Sequence, residues 1–204
     1  MSRYPVTNAQ YRAFLECSDG YGDDRWWEGL DAAERGPDDP GWSESNHPRE
    51  RVSWYESTAF CRWLSGKMGR RVELPTEEQW ERVARGREGW AYPWGEEYLS
   101  GYANVDEIRE KVGPHRLGRT SAVGIYPSGA APEGVMDLSG NVWEWCQDEH
   151  EGKGSRVLRG GSWADYPQDA RADYRLHYHP DARNFIIGFR VVCSSPIFRR
   201  SPAR

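Results

Sequence analysis

Helical patterning stops at Gly86 of this 204-residue chain, and that boundary limits what the chain can fold into. Before it stand three helix starts of one kind. Thr7 and Gln10 have capping-box spacing ahead of Tyr11, Phe14 and Leu15, whose i, i+3, i+4 spacing makes one apolar stripe. Ser53 and Glu56 repeat the signal before Tyr55, Ala59, Phe60, Trp63 and Leu64, with Gly66 or Gly69 as a stop. Thr76 and Gln79 do so again before Trp80, Val83 and Ala84, and this third helix is expected to end near Gly86. In each box the hydroxyl accepts from an orphan helix N–H while the third residue reaches back, so the start is fixed. Beyond Gly86 the segments 122–126, 142–145, 156–158 and 189–193 read as short strands between glycine turns, as does 71–74 before Pro75.

Composition supports the same picture. With 22 Gly, 13 Pro, 11 Trp and 11 Tyr, turns and aromatic anchors rather than long aliphatic helices are expected to build one domain. The stretch 18–51 is too long for an ordinary connection and is expected to pack irregularly through Trp26, Trp27 and Trp42. No run of 18 apolar residues exists, which excludes a transmembrane helix, and a net charge of −5 argues against general nucleic-acid affinity. Cys17, Cys61, Cys146 and Cys193 are far apart with no CxxC pair, so reduced thiols are expected rather than a disulfide framework or zinc cluster. With polar residues directly after Met1 and no disulfide framework, the cytoplasm is the default expectation.

An ordered series of blocks then makes the chain recognisable. Tyr4-Pro-Val-Thr-Asn-Ala-Gln-Tyr11, Val52-Ser-Trp-Tyr55, Arg71-Val-Glu-Leu-Pro-Thr-Glu-Glu-Gln-Trp80, Tyr92-Pro-Trp-Gly95 and Tyr102-Ala-Asn-Val105 are followed by Gly140-Asn-Val-Trp-Glu-Trp145, Arg159-Gly-Gly-Ser-Trp163 and Gly188-Phe-Arg190. The series resembles the formylglycine-generating enzyme (sulfatase-modifying factor) family over nearly the whole chain. The resemblance implies an α+β, C-type-lectin-like fold with sparse regular structure in a single domain, its N- and C-terminal segments brought together. It also implies that the family's first strand is short or missing here, leaving room for an upstream effector or anchoring segment.

The family's enzyme oxidises a substrate cysteine with oxygen, using copper held by two thiolates that follow the Arg-Gly-Gly-Ser block. Counting from Trp163, those positions fall on Asp165 and Ala170, neither of which supplies the thiolate that Cu(I) needs. The resemblance thus implies the fold without its copper chemistry and without a required cofactor. An ergothioneine-type iron enzyme of the same kind would need a histidine-bearing domain that this chain lacks.

The segment standing where the active site would be is the informative one. From 164 to 187, fixed-looking Arg171, Arg175, Pro180 and Arg183 punctuate clusters of Tyr, His, Asp, Asn, Leu, Phe and Ile. That layout resembles the variable proteins of diversity-generating retroelements, in which adenines, often in AAC codons, are miscopied into the end of a lectin-like domain. Substituting the adenines of AAC never yields Glu, Lys, Gln, Met or Trp. Those five types make up 40 of the 204 residues, so about five are expected among these 24; only Gln168 occurs. The candidate ligand-binding residues are Ala164, Asp165, Tyr166, Gln168, Asp169, Asp173, Leu176, His177, Tyr178, His179, Asn184, Phe185 and Ile186. Tyr and His offer rigid amphipathic contact area, and Asp and Asn adaptable polar contacts. Tyr174 and Ile187 are expected to be core.

Two metal readings remain. The family resemblance implies a structural calcium held by Asp137, Gly140, Val142 and Glu144, all offering hard oxygen ligands. His177 and His179 with Asp181 have transition-metal spacing, which on a variable segment is read as coincidence. Arg159 and Arg190 are expected in buried ion pairs. The resulting division is a scaffold at 1–163, a variable segment at 164–187, a closing strand at 188–193 and a frayed tail at 194–204. The expected function is non-catalytic binding of a protein or glycan through the variable segment. The alternative is a degenerate family domain serving as a sensor or interaction module of a larger bacterial protein.

Overall fold

The structure, a computed structural model, describes residues 1–33 and 35–193; the expected frayed tail lies outside the described residues. All three capping boxes form. Thr7 starts α1 (Asn8–Glu16), its hydroxyl accepting the Gln10 N–H while the Gln10 side chain accepts the Thr7 N–H. Ser53 and Glu56 start α2 (Trp54–Met68) in the same way, and Gly69 in the left-handed region (φ 60°) ends it. After β1 (Val72–Glu73), Thr76 and Gln79 start α3 (Glu77–Arg85), which ends at Gly86 as expected. A single turn, α4 (Glu107–Glu110), follows Asp106 as its N-cap. Four residues are too few to show a helical stripe in sequence.

The later strands are β2 (Trp143–His150), β3 (Ser155–Arg159), β4 (Arg175–Tyr178), β5 (Ile187–Gly188) and β6 (Val192–Cys193). Segments 142–145 and 156–158 thus mark longer strands. Segment 189–193 keeps only its last two residues as strand, and β4 was hidden within the polar variable segment. Segment 122–126 is not a strand. Gly124 takes φ 77° against the Tyr4 ring, its N–H donates to Asp137, and the chain passes into a 3-10 turn at Pro127–Gly129.

β2 pairs antiparallel with β3 and parallel with β5, and β4 closes the outer edge, giving the order β4-β3-β2-β5. β1 and β6 form a separate antiparallel pair. Residues 2–6 run beside the end of the domain, with Ser2 N–H donating to the Val191 carbonyl (2.7 Å) and Val6 N–H to that of Phe189 (2.9 Å). The expected meeting of N- and C-terminal segments is present.

The β2–β3 hairpin is buried on both faces. Trp143, Trp145 and Leu158 join Tyr11, Phe14, Trp27, Phe60 and Phe189 in the main core, packed on α1 and α2. The alternate residues Cys146 and Val157 face a second core with Trp80, Ala84 and Leu138 under α3. Side chains alternate along a strand, so Glu144 is carried to the second face. There it is fully buried, accepts the Trp80 indole N–H (2.7 Å) and is held in a bidentate ion pair by buried Arg190 (2.5 and 2.7 Å). Arg190 also donates to the carbonyls of Met136 and Asp137. Arg159, equally buried, pairs with Glu77 (3.0 Å) and Glu81 (2.7 Å). Both arginines therefore do what their blocks predict.

Removing one partner of a buried pair strands the other charge. Glu144→Gln is expected to lower the unfolding free energy by about 3–5 kcal/mol in urea denaturation. Lys67→Ala, which breaks the exposed Lys67–Asp19 pair (2.7 Å), is expected to cost less than about 1 kcal/mol. Equal losses would remove Glu144–Arg190 from its central place.

Candidate functional site

The variable segment runs across three elements. Residues 164–166 follow the Gly160–Gly161 turn, and the Asp165 carbonyl accepts the Asp106 N–H (2.9 Å) ahead of α4. A 3-10 turn at Pro167–Ala170 leads to the edge strand β4, and residues 184–187 form a loop entering β5.

Burial divides the segment cleanly. None of the thirteen candidate residues is buried: Gln168, Asp173, His177, Tyr178, His179 and Phe185 are exposed, and Ala164, Asp165, Tyr166, Asp169, Leu176, Asn184 and Ile186 are half-buried. Pro167, Ala170, Ala172, Pro180 and Ile187, interleaved with them, are buried. Ile187 is core as expected. Tyr174 is not: it is 41% exposed, because its ring lies over the Trp143 indole (6.0 Å) instead of beneath it.

The fixed-looking residues hold the frame. Arg183 pairs with buried Glu56 (2.8 Å), Arg175 with Glu77 (2.8 Å), and Arg171 with Asp173 (2.8 Å). The Pro180 carbonyl accepts the Trp54 N–H (2.9 Å) at the start of α2. In the loop before β5 the backbone makes the main ties. The Asn184 carbonyl accepts from Arg51 and Ile187, and the Ile186 carbonyl accepts from Trp143 (2.8 Å).

The candidates form two neighbourhoods. Asp165, Tyr174 and Ile186 all meet Trp143, whose indole N–H donates to Asp165 Oδ2 (2.8 Å); the Ser162 hydroxyl donates to the same oxygen. Phe185 packs on Trp163 (5.7 Å), which packs edge-on against Trp42 (5.2 Å). Tyr166 carries the Arg109 guanidinium over its ring (4.9 Å). Along the edge strand, His177 stacks on His150 (3.9 Å) near the β2–β3 turn, and His179 lies 3.3 Å from Asp181. Leu176 turns inward to the main core. Trp42, Arg109 and His150 are neighbours of this surface that sequence reasoning missed. Trp163, immediately before the segment, is the one with an available signal, its place in the Arg159-Gly-Gly-Ser-Trp163 block.

Asp165 occupies one expected copper-ligand position, and burial pushes its carboxyl above the usual carboxylate range despite donors from Ser162 and Trp143. Ala170, at the other, is fully buried. Cys17, Cys61 and Cys146 are free; burial pushes the thiols of Cys61 and Cys146 up, making them poor nucleophiles. The calcium positions do not form an oxygen cage. Glu144 is committed to Arg190 and Trp80, and the Gly140 carbonyl accepts the Val142 N–H (3.0 Å). Asp137, pushed by burial up to about 6, accepts from Gly124. Asp137, Gly140 and Glu144 are thus each already engaged by a donor of the protein itself. Among the described residues no three His, Cys, Asp or Glu side chains gather to hold any metal, those of 177–181 included.

A specifically bound ion at a hundred times its Kd stabilises by about 2.7 kcal/mol. Added calcium is expected to leave the melting midpoint of chelator-treated protein unchanged; a saturable rise would restore the site. Asp165 gives a pH signature. Its folded pKa lies above the unfolded one, so the folded state holds more protons in that interval and stability falls as pH rises through it. Asp165→Asn keeps an acceptor for Trp143 and is expected to gain stability over the wild type at about pH 7.5 but not at about pH 4. Parallel pH profiles in urea denaturation would contradict this.

The comparisons with known proteins agree with this geometry. A family model described as sulfatase-modifying factor enzyme 1-like domain matches residues 1–195. Hercynine oxygenase of Mycolicibacterium thermoresistibile is 31% identical, over 94% of this chain and 50% of its own length. Inactive C-alpha-formylglycine-generating enzyme 2 of Mus musculus is 35% identical over 83% of this chain and 58% of its own, so the chain spans about half the length of these curated relatives. Serine/threonine-protein kinase pkn1 of Chlamydia pneumoniae is 32% identical over 92% of this chain but 31% of its own. Among solved structures, PvdO from Pseudomonas aeruginosa superposes with TM-score 0.74 at 26% identity, covering 95% of this chain and 79% of that one. Treponema denticola variable protein 1 shares the fold with TM-score 0.69 at 23% identity, covering 93% and 82%. Relatives named as enzymes and one named inactive thus carry the same domain. No helix of the described residues is long and apolar enough to cross a membrane. The chain belongs to the sulfatase-modifying factor enzyme 1-like domain family.

Proposed function

We propose that this domain is a non-catalytic binding protein whose segment 164–187 is a retroelement-diversified receptor face. The observation that carries this reading is the segregation of the segment. None of the thirteen candidate residues is buried, while Pro167, Ala170, Ala172, Pro180 and Ile187 between them are buried and Arg175 and Arg183 are ion-paired to the scaffold. Side chains on such a face can change identity with little consequence for the backbone beneath. The dearth of Glu, Lys, Gln, Met and Trp in the segment, against four Asp, fits substitution at adenines. Asp165 and Ala170 at the expected ligand positions supply no thiolate for copper.

A second reading, a degenerate domain serving as an interaction module of a larger protein, is favoured by one observation. The relatives matched here are longer than this chain, and one of them is named inactive.

Three measurements separate these readings and an enzymatic one. An imperfect copy of the DNA encoding 156–192, beside a reverse transcriptase gene and differing mainly at adenines, is expected; a genome without one sinks the retroelement reading. With a cysteine peptide and copper the protein is expected to consume no oxygen above background; consumption would make it an enzyme. Gln168→Ala, Tyr174→Ala and Phe185→Ala are each expected to change stability by less than about 1 kcal/mol. Losses of the size seen in cores would make these side chains structural.

A further inference from the structure

One anion on the proposed face has no counterion. Asp165 takes both of its side-chain donors, Trp143 and Ser162, on a single oxygen, Oδ2, and the Ser162 backbone N–H is its one further donor among the described residues. Asp169 lies close enough to raise the charge density, and its Oδ2 accepts only the Tyr166 N–H. No Arg, Lys or His reaches ion-pair distance of either carboxylate among the described residues. Of the other two aspartates of the segment, Asp173 is paired with Arg171, and Asp181 lies 3.3 Å from His179 Nδ1.

The aromatic rings tell the same story. At the borders of the face, Tyr166 already carries Arg109 (4.9 Å) and Trp42 carries Arg119 (5.9 Å). Tyr174 (41% exposed) and Phe185 (43% exposed) carry no guanidinium among the described residues. Trp143 brings these groups together. Asp165 is bound at its indole nitrogen, Tyr174 lies against its ring, and its backbone N–H binds the carbonyl next to Phe185. A carboxylate beside exposed π-faces is complementary to a cation, and an aromatic ring rewards a cation that has shed water.

We infer that Asp165, with Tyr174 against the same Trp143 indole, receives a cationic side chain, ammonium or guanidinium, presented by a protein partner. This rests on the binding-face reading and narrows it. A neutral glycan brings no charge to the unmatched carboxylate, and an acidic one is repelled by it.

The test is an NMR titration of the isotope-labelled chain with acetyl-arginine amide and its neutral isostere acetyl-citrulline amide, following the Trp143 indole N–H. The arginine probe is expected to give a saturable shift and the citrulline probe none. Affinity is expected to fall at least tenfold in Asp165→Asn and to weaken in Tyr174→Ala, with the fold of each verified by its amide spectrum. Equal response to both probes, an arginine response untouched by Asp165→Asn, or no response at all overturns the cation site. So does a saturable response to methyl glucoside in its place. Citrulline or glucoside shifts confined to 164–187 would still leave a binding face there, whereas the retroelement reading stands or falls on the DNA copy alone.

Discussion

Glu144 joins three stretches of chain that are far apart in sequence. It sits on β2, accepts the indole N–H of Trp80 from α3, and binds Arg190, which reaches it from beyond β5 while also holding the carbonyls of Met136 and Asp137. With both charges out of water, neither can leave without stranding the other. The chain following β5 is therefore fixed at Arg190. Arg159 acts similarly at the opposite end of the variable segment. It is anchored by Glu77 and Glu81 and donates to the Ala172 carbonyl (2.6 Å). Arg183, paired with buried Glu56, holds the middle. Three guanidinium groups thus place the segment, and all three find their carboxylates on the scaffold.

That arrangement explains how an irregular surface persists with little regular structure of its own. Between Arg159 and Arg183, burial falls on small or rigid residues, among them Pro167, Ala170, Ala172 and Pro180. The loop before β5 is tied by carbonyls and N–H groups, which every residue but proline supplies. Frame and surface therefore answer to different chemistry. Asp165 and Asp169 are partial exceptions, since Asp165 Oδ2 takes the indole N–H of Trp143 and Asp169 Oδ2 the backbone N–H of Tyr166.

Much of this was legible in the sequence, and the failures share a cause. Capping boxes fix helix starts through contacts three residues apart, so Thr7, Ser53 and Thr76 could be read directly. The family blocks located β2, β3 and the roles of Arg159 and Arg190. What escaped were features decided by distant partners. β4 is a strand because β3 lies beside it, not because Arg-Leu-His-Tyr alternates cleanly. Gly124 turns the chain away from strand geometry because Tyr4 and Asp137 are waiting for it. Tyr174 was placed in the core by its neighbours in sequence, yet the space beneath it was already filled by Trp143. Trp42 reaches the candidate surface from the long stretch 18–51, where no local pattern reports its destination.

The two large aromatic types end up with different work for a physical reason. Trp27, Trp80, Trp143 and Trp145 are fully buried or nearly so, and the indole N–H of each finds an acceptor: Tyr21 carbonyl, Glu144, Asp165 and Val52 carbonyl respectively. An indole that is both packed and hydrogen-bonded fixes its surroundings. Tyrosine in the variable segment keeps its edge toward solvent, with Tyr174 and Tyr178 both about 40% exposed. Beneath the first of these lies Trp143, so any side chain at 174 sits on an indole already held in place. A surface built this way has a constant aromatic floor under changeable contacts. In the proposed reading, diversity at 174 and 185 alters what covers that floor, not the floor itself. Partners of related chains would then differ in the groups they present but share the need to meet an aromatic surface beside residue 165.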